Sequence, residues 1–369
     1  GNIMSLRFLP DGQHLVSACE FGRPLLWNIN RPEKLQTLRG FSQGIRSIAV
    51  SSDSRWVAVG SADFLQPERP SEVIVFDLAS QKPLMPPLEH PQGVTSLTLP
   101  AEGRFLVTGC WDGSARVFSM PEGRLLRTLT NTLSRNGGNL VLSPDGRSLV
   151  TCGGTPRQMA VWDTLSWEAK PLLNQIQGGP MGFAFSPDGS LLATPFNWWS
   201  TIIWNMPAGA TNTVIRFNQS RGSAFSADGS MLAIHGFFDI ELFQAKTWKH
   251  LGTLKGHEHV VNQVAFAPDG KTLASAGIEG ALRLWSVPGG EAITALYDHL
   301  NSVEAVAFTP DGRWLISGSR DKIVKLRRIP SFEEIDTTER SEQAATARDR
   351  ALTAVELARR ARDTEAIRQ

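Results

Sequence analysis

Val261-Asn-Gln-Val-Ala-Phe-Ala-Pro-Asp-Gly-Lys-Thr-Leu-Ala-Ser-Ala-Gly-Ile-Glu-Gly-Ala-Leu-Arg-Leu-Trp-Ser-Val-Pro-Gly-Gly-Glu-Ala-Ile-Thr-Ala-Leu296 is one complete copy of a unit that the chain repeats. Val261 to Phe266 reads as a strand, Pro268-Asp269-Gly270 as a turn and Leu273 to Ala276 as a second strand. A third strand, Ala281 to Trp285, a Pro-Gly-Gly turn and a fourth strand, Ala292 to Leu296, complete the unit. The turn chemistry is causal: proline presets φ, while aspartate and glycine tolerate the tight reversal between antiparallel strands. Four short strands make a small twisted sheet that cannot bury both faces alone.

The same turn or a near relative recurs along the chain at Asp11, Asp53, Glu102, Asp145, Asp188, Asp228, Asp269 and Asp311. Successive separations are 42, 49, 43, 43, 40, 41 and 42 residues. That is the period of a four-stranded propeller blade and not of an ankyrin or tetratricopeptide array. Such sheets stack face to face around an axis, and ring closure protects their edges. The repeats run over about 2–41, 44–90, 93–130, 137–174, 180–217, 220–257, 260–299 and 302–336, so a single all-β propeller is expected over 2–336.

The aromatics at the end of the third strand, Trp27, Phe76, Phe118, Trp162, Trp204, Phe243 and Trp285, recur with the same period, and only Arg327 breaks the series. On the period, the turns and these aromatics together, the chain resembles the WD-repeat family over about residues 2 to 330. The resemblance implies a buried relay in which the Trp is linked through a Ser or Thr and a His to an Asp between strands two and three. Its partial sets here are His257, Ser275 and Trp285 with Glu279 in the aspartate place; His299, Ser317 and Asp321 with Arg327; and His90, Thr108 and Asp112 with Phe118. Phenylalanine keeps the packing and loses the indole donor. These sets look like catalytic triads only on paper, because a relay buried in a blade offers neither an exposed nucleophile nor an oxyanion site.

Closure is the open question at this level. Eight four-stranded blades, each with its own outer strand, are the expectation, with Phe332 to Asp336 as the last outer strand. The alternative is seven closed blades with one copy belonging to an upstream propeller. From about Thr338 to Gln369 the composition shifts to Ala, Arg and Glu without Gly or Pro, which predicts a C-terminal α-helix. Small residues from Ala344 to Ala361 form one stripe on it, to be read as a solvated helix or as a partner-binding segment. The stretch Arg327-Arg-Ile-Pro-Ser-Phe-Glu-Glu-Ile335 also resembles the tails of bacterial WD-repeat proteins fused to serine/threonine protein kinases; no kinase motif is present. The chain opens at Gly1 and stops inside a helical pattern, so a piece of a longer protein is expected.

Composition bounds the function. With 41% hydrophobic and 20% charged residues the chain can bury a large core, and disorder is excluded as a general description. A net charge of +1 supplies no overall field for nucleic acid or an anionic membrane, so neither is expected as a partner. Cys19, Cys110 and Cys152 are odd in number and far apart, which reads as reduced core thiols and a cytoplasmic setting. The Gly153 to Gln158 loop lacks the Lys-Ser/Thr ending of a phosphate-binding loop. His257-Glu258-His259 lacks two further ligands for a metal. No catalytic residue, cofactor or metal is therefore expected. A Pro-rich insertion, Phe64 to Ser71, predicts a protruding loop in the second copy.

What does converge is the narrow face, which carries the loops entering strand one and those joining strands two and three. By register with the seventh copy it should display Arg46, Trp111, Trp198, Trp199, Arg221, Phe237, Asn262, Glu304 and Arg320. Tryptophan, phenylalanine and arginine dominate binding hot spots. The competing reading is that some of these aromatics plug the channel or cover blade edges. Trp198 and Trp199 are adjacent, so on a strand they point opposite ways. The expectation is a non-enzymatic, monomeric scaffold that binds a protein or peptide through this face. A docking or sensor domain of a larger bacterial signalling protein, and a propeller enzyme or small-ligand binder, are the alternatives.

Overall fold

In a computed structural model, the described residues are 3–8, 14–19, 25–28, 35–63, 65–130, 139–153, 158–174, 182–196, 199–216 and 220–329. They form seven four-stranded antiparallel sheets and one three-stranded sheet, with no helix among them. The stretch 338–369, expected to be a helix, lies outside these residues.

Blades are numbered here from the sheet whose innermost strand is Ile45–Val50. The other innermost strands are Val94–Thr98, Leu140–Leu142, Ala184–Phe185, Gly222–Phe225, Val261–Phe266 and Val303–Phe308. Each touches the next around the axis, and Val303–Phe308 touches Ile45–Val50, so the ring is closed with seven blades. This corrects the expectation of eight. The outer place of the seventh blade is taken by Leu35–Leu38, paired antiparallel with Val324–Arg328 in the register Leu38 to Val324, Thr37 to Lys325 and Leu35 to Arg327. Phe332 to Asp336, assigned to that place from sequence, lies outside the described residues. The first repeat is therefore not a blade of this ring. Its strands Ile3–Phe8, His14–Cys19 and Leu25–Asn28 make the separate three-stranded sheet, and the segment that would have been their fourth strand closes the seventh blade. Closure by a distant strand leaves the ring without an open edge at its seam, and this is what favours the arrangement.

The core lies between blades. Leu38, Ile45, Val57, Phe76, Ile316 and Leu326 pack the seventh blade on the first, so the closing strand contributes directly to that layer. Leu106 and Phe118 pack against Val73 and Leu88 between the next two blades, and Trp285 joins Leu242, Leu254 and Val261 between the fifth and sixth.

The turns carry more structure than Pro-Asp-Gly alone. Two residues before the aspartate, Ser51, Ser143, Ser186, Ser226 and Thr309 each donate their hydroxyl to it at 2.5–2.6 Å. The same oxygen accepts the amide five residues on, as from Trp56 at 2.9 Å. A backbone donor that faces inward at the tight reversal is thereby satisfied. Gly270 in the turn has φ +66, which a side chain would resist.

Candidate functional site

Antiparallel alternation puts the loops before innermost strands and the loops between second and third strands at one end of the ring. At that end the innermost strands carry a shared irregularity. Pairing with the second strand skips one residue at Arg46, Thr95, Asn262 and Glu304, because Ile45 pairs Ser61 but Ser47 pairs Gly60, and likewise in the second, sixth and seventh blades. A bulge re-aims the extra side chain. All four bulged residues line one axial cavity of about 230 Å³, together with Ser47, Arg221, Ser223 and His235.

The bulged residues also bind across blade boundaries. Arg46 donates through Nη1 to Glu304 Oε2 at 2.8 Å, joining the first blade to the seventh. Arg320 Nε and Ser302 Oγ reach the other carboxylate oxygen at 2.6 and 2.7 Å. Asn262 donates to Ser302 Oγ at 3.1 Å and to the Val303 carbonyl at 2.9 Å. Burial pushes the Arg46 guanidinium below its ordinary value; Glu304 opposes that shift and Arg320 adds to it. Arg221 is also pushed down, by burial first and then by the charge of Arg46. Its guanidinium lies over the Phe237 ring, 5.6 Å from the centroid.

The sequence-expected face residues therefore divide. Arg46, Arg221, Asn262, Glu304 and Arg320 come together at the channel mouth, with Phe237 beneath Arg221. Trp199 stands 63% exposed on the loop between strands two and three of the fourth blade, whereas Trp198 lies outside the described residues. Trp111 is only 5% exposed, and its ring packs where a Cβ on Gly93 would sit; it covers a blade junction and does not present itself on the surface. Sequence reasoning missed Leu65, Phe238 and Leu300, which are 93%, 50% and 89% exposed on loops of this same end. The insertion in the second copy was the available signal for Leu65, which it carries.

The relay sets are inside blades. In the sixth blade His257 binds Ser275 Oγ at 2.6 Å and Glu279, and the Trp285 indole donates to the same serine at 2.8 Å. Glutamate thus takes the aspartate's place. In the seventh blade His299 joins Asp321 and Ser317, both at 2.9 Å, while Arg327, in the tryptophan position, pairs with Asp298. His90, in the outer strand of the first blade, reaches Thr108 of the second at 2.7 Å, but its other ring nitrogen meets the Leu88 carbonyl and Asp112 turns to Arg116. That correction has a simple cause: a guanidinium four residues away outcompetes a buried neutral imidazole for the carboxylate. Burial, the first cause, lowers His90 to about 4. Among the described residues no three His, Cys, Asp or Glu side chains group to hold a metal, and Cys110 and Cys152 are buried thiols outside any disulfide.

A closed ring of seven four-stranded blades with polar relays inside them defines a class, and the comparisons agree with it. Residues 32–65, 82–119, 248–286 and 290–327 match the family described as WD domain, G-beta repeat. The chain carries WD repeats within a closed seven-bladed ring. It is 25% identical over 282 residues to Periodic tryptophan protein 2 of Arabidopsis thaliana, covering 75% of this chain and 26% of that protein. To the serine-threonine kinase receptor-associated protein of Gallus gallus it is 22% identical over 289 residues, covering 76% of this chain and 78% of the relative. An uncharacterized WD repeat-containing protein of Synechocystis matches at 25% over 160 residues, 43% of each chain.

Proposed function

We propose that the end of the ring bearing the channel mouth is a docking surface for a protein partner. The protein is a non-enzymatic WD-repeat propeller that acts as a protein–protein interaction scaffold, and its relatives include proteins named for association with a receptor. The observation that carries the choice of face is its loop chemistry. Trp199, Phe238, Leu65 and Leu300 are exposed around a rim whose centre holds Arg46, Arg221 and Arg320. Large exposed apolar side chains around a polar centre mark interaction sites on otherwise polar surfaces.

The finer setting belongs to the same proposal. The propeller serves as a docking module in bacterial signalling, a reading that rests on the likeness of the stretch from Arg327 to Ile335 to the tails of bacterial WD-repeat proteins. We infer a cytoplasmic setting for it, in keeping with the buried thiols of Cys110 and Cys152. The triple variant Trp199→Ala, Phe238→Ala, Leu300→Ala tests the face. Immobilised variant should capture far fewer proteins than wild type while melting at the same temperature. Equal capture by both would remove this face from consideration.

A further inference from the structure

We propose that Tyr297 is an acceptor for tyrosine phosphorylation, with Arg283 as the residue that holds the phosphate. This goes beyond the docking reading and does not depend on it.

Presentation comes first. Tyr297 is the only tyrosine in the chain. It follows directly on Ala292–Leu296, the outer strand of the sixth blade, which pairs with Leu282–Ser286 on one side and with no strand on the other among the described residues. The residue is 48% exposed, and the chain runs on into a loop that carries Leu300 at 89%. An edge strand leaves its outward N–H and C=O groups open to a second chain, so the cleft of an enzyme can engage this segment without opening the sheet. Burial raises the Tyr297 phenol above its ordinary value, Arg283 opposes that shift, and Glu258 and Glu279 add to it, so the hydroxyl keeps its proton near pH 7.

The group bonded to that hydroxyl suits a phosphate better than a phenol. Arg283 donates through Nη2 to the Tyr297 oxygen at 2.8 Å, and its guanidinium carbon stands 5.8 Å from the ring centroid. Its buried Nε finds no hydrogen-bond partner among the described residues. The second blade shows what an arginine at this place otherwise does. Arg116 stands opposite Thr108 as Arg283 stands opposite Ser275, and it binds Asp112, four residues before it. In the sixth blade the carboxylate four residues before is Glu279, which goes to His257, while Arg283 turns to the tyrosine. A full charge is thus directed at a neutral phenolic oxygen. Phosphorylation would add about 1.5–2 negative charges and three acceptor oxygens there, next to two donors of one planar group. Two carboxylates oppose that charge, but Glu258 is exposed and screened, and Glu279 is held by His257. In the transfer, the phenolic oxygen bonds to the terminal phosphorus of a nucleoside triphosphate and the bond from that phosphorus to the bridging oxygen breaks. The diphosphate leaves, and the phenolic proton passes to the base of the tyrosine kinase.

The test uses the full chain, ATP and a tyrosine kinase of broad specificity, with mass spectrometry reading phosphate at the single tyrosine and Tyr297→Phe as the blank. Folded wild type should be modified within about tenfold of the rate of a synthetic peptide spanning this strand and loop, since no strand has to detach first. Phosphorus NMR then follows the second ionisation of the phosphate. Arg283→Gln should raise that pKa by at least about 0.5, whereas Glu258→Gln should lower it. A tyrosine phosphatase should release the phosphate at least about tenfold faster from Arg283→Gln than from wild type. Arg283→Lys, which keeps the charge without the planar fork, should lie between the two and supplies the comparison where Arg283→Gln does not fold. Opposite shifts from Arg283→Gln and Glu258→Gln are not expected of residues that merely support the fold. Modification slower than the stated limit overturns Tyr297 as an acceptor. A phosphate that titrates no higher and is released no faster in the Arg283 variants than in wild type overturns Arg283 as its holder.

Discussion

Trp285 and Phe118 occupy the same place at the ends of third strands, and the difference between them is one hydrogen bond. Trp285 donates to Ser275 Oγ at 2.8 Å in a fully buried setting. Trp285→Phe keeps most of the apolar contact and loses the donor, so a cost of about 1–2 kcal/mol is expected in urea denaturation. Two glycines separate backbone cost from packing cost. A Cβ at Gly270 would meet nothing within 4 Å, yet φ is +66, so Gly270→Ala should cost about 1 kcal/mol through the backbone alone. A Cβ at Gly93 would fall 2.4 Å from the Trp111 ring, and Gly93→Ala should cost about 3 kcal/mol by overpacking. Much at this scale was legible: the aromatics, the turn aspartates and the relay histidines are visible as periodic letters. The hydroxyl two residues before five of the turn aspartates was equally visible, as in Ser226-Ala-Asp228, and its bond to the aspartate explains why it is there. That Asp112 prefers Arg116 to His90 was not legible, because both partners lie within reach and only geometry chooses.

The strand Leu35–Leu38 shows what periodicity does and does not encode. Repeats can be counted from turns, but a blade is defined by which strand pairs with which, and that pairing spans almost the whole chain. Leu35–Leu38 and Phe332 to Asp336 are both short candidates for one outer edge, and local sequence does not rank them. Burial separates its residues: Leu38 is 3% exposed within the seam between the seventh and first blades, whereas Leu35 is 38% exposed. Leu38→Ala should cost about 2–4 kcal/mol and Leu35→Ala under about 1, as read by chemical denaturation. If both substitutions cost the same, the strand is not seated in the seam. The bulges at Arg46, Thr95, Asn262 and Glu304 were likewise hidden, since one extra residue per strand leaves the apolar alternation nearly intact. They are what turns four separated positions into one lined channel.

Across the whole molecule, acid sensitivity sums contributions from several blades. Burial lowers His90 to about 4 and His235 to about 3 from an ordinary 6.5, so each is neutral in the folded protein and protonated first in the unfolded one. Their contribution is complete above pH 6.5 and is lost as pH falls toward 4 for His90 and 3 for His235, by up to about tenfold in the unfolding equilibrium per pH unit for each. Hydrogen bonds from Ser186 and Ser190 hold Asp188 at about 2, below its ordinary 3.8, which adds a second loss only below about pH 4. Melting temperature should therefore be flat above pH 6.5, decline below it and steepen under 4, and His235→Gln should flatten the first limb. The closing strand also sets a timetable for folding. Leu35–Leu38 emerges early in synthesis, while its partner Val324–Arg328 is made nearly 300 residues later. At roughly 5–20 residues per second, that segment must wait on the order of 15–60 s with its hydrogen-bonding edge unclaimed. Until then six blades can stack in order, but the seam stays open, and nascent chains arrested before Val324 should be cut by protease within Leu35–Leu38 where the finished ring is not.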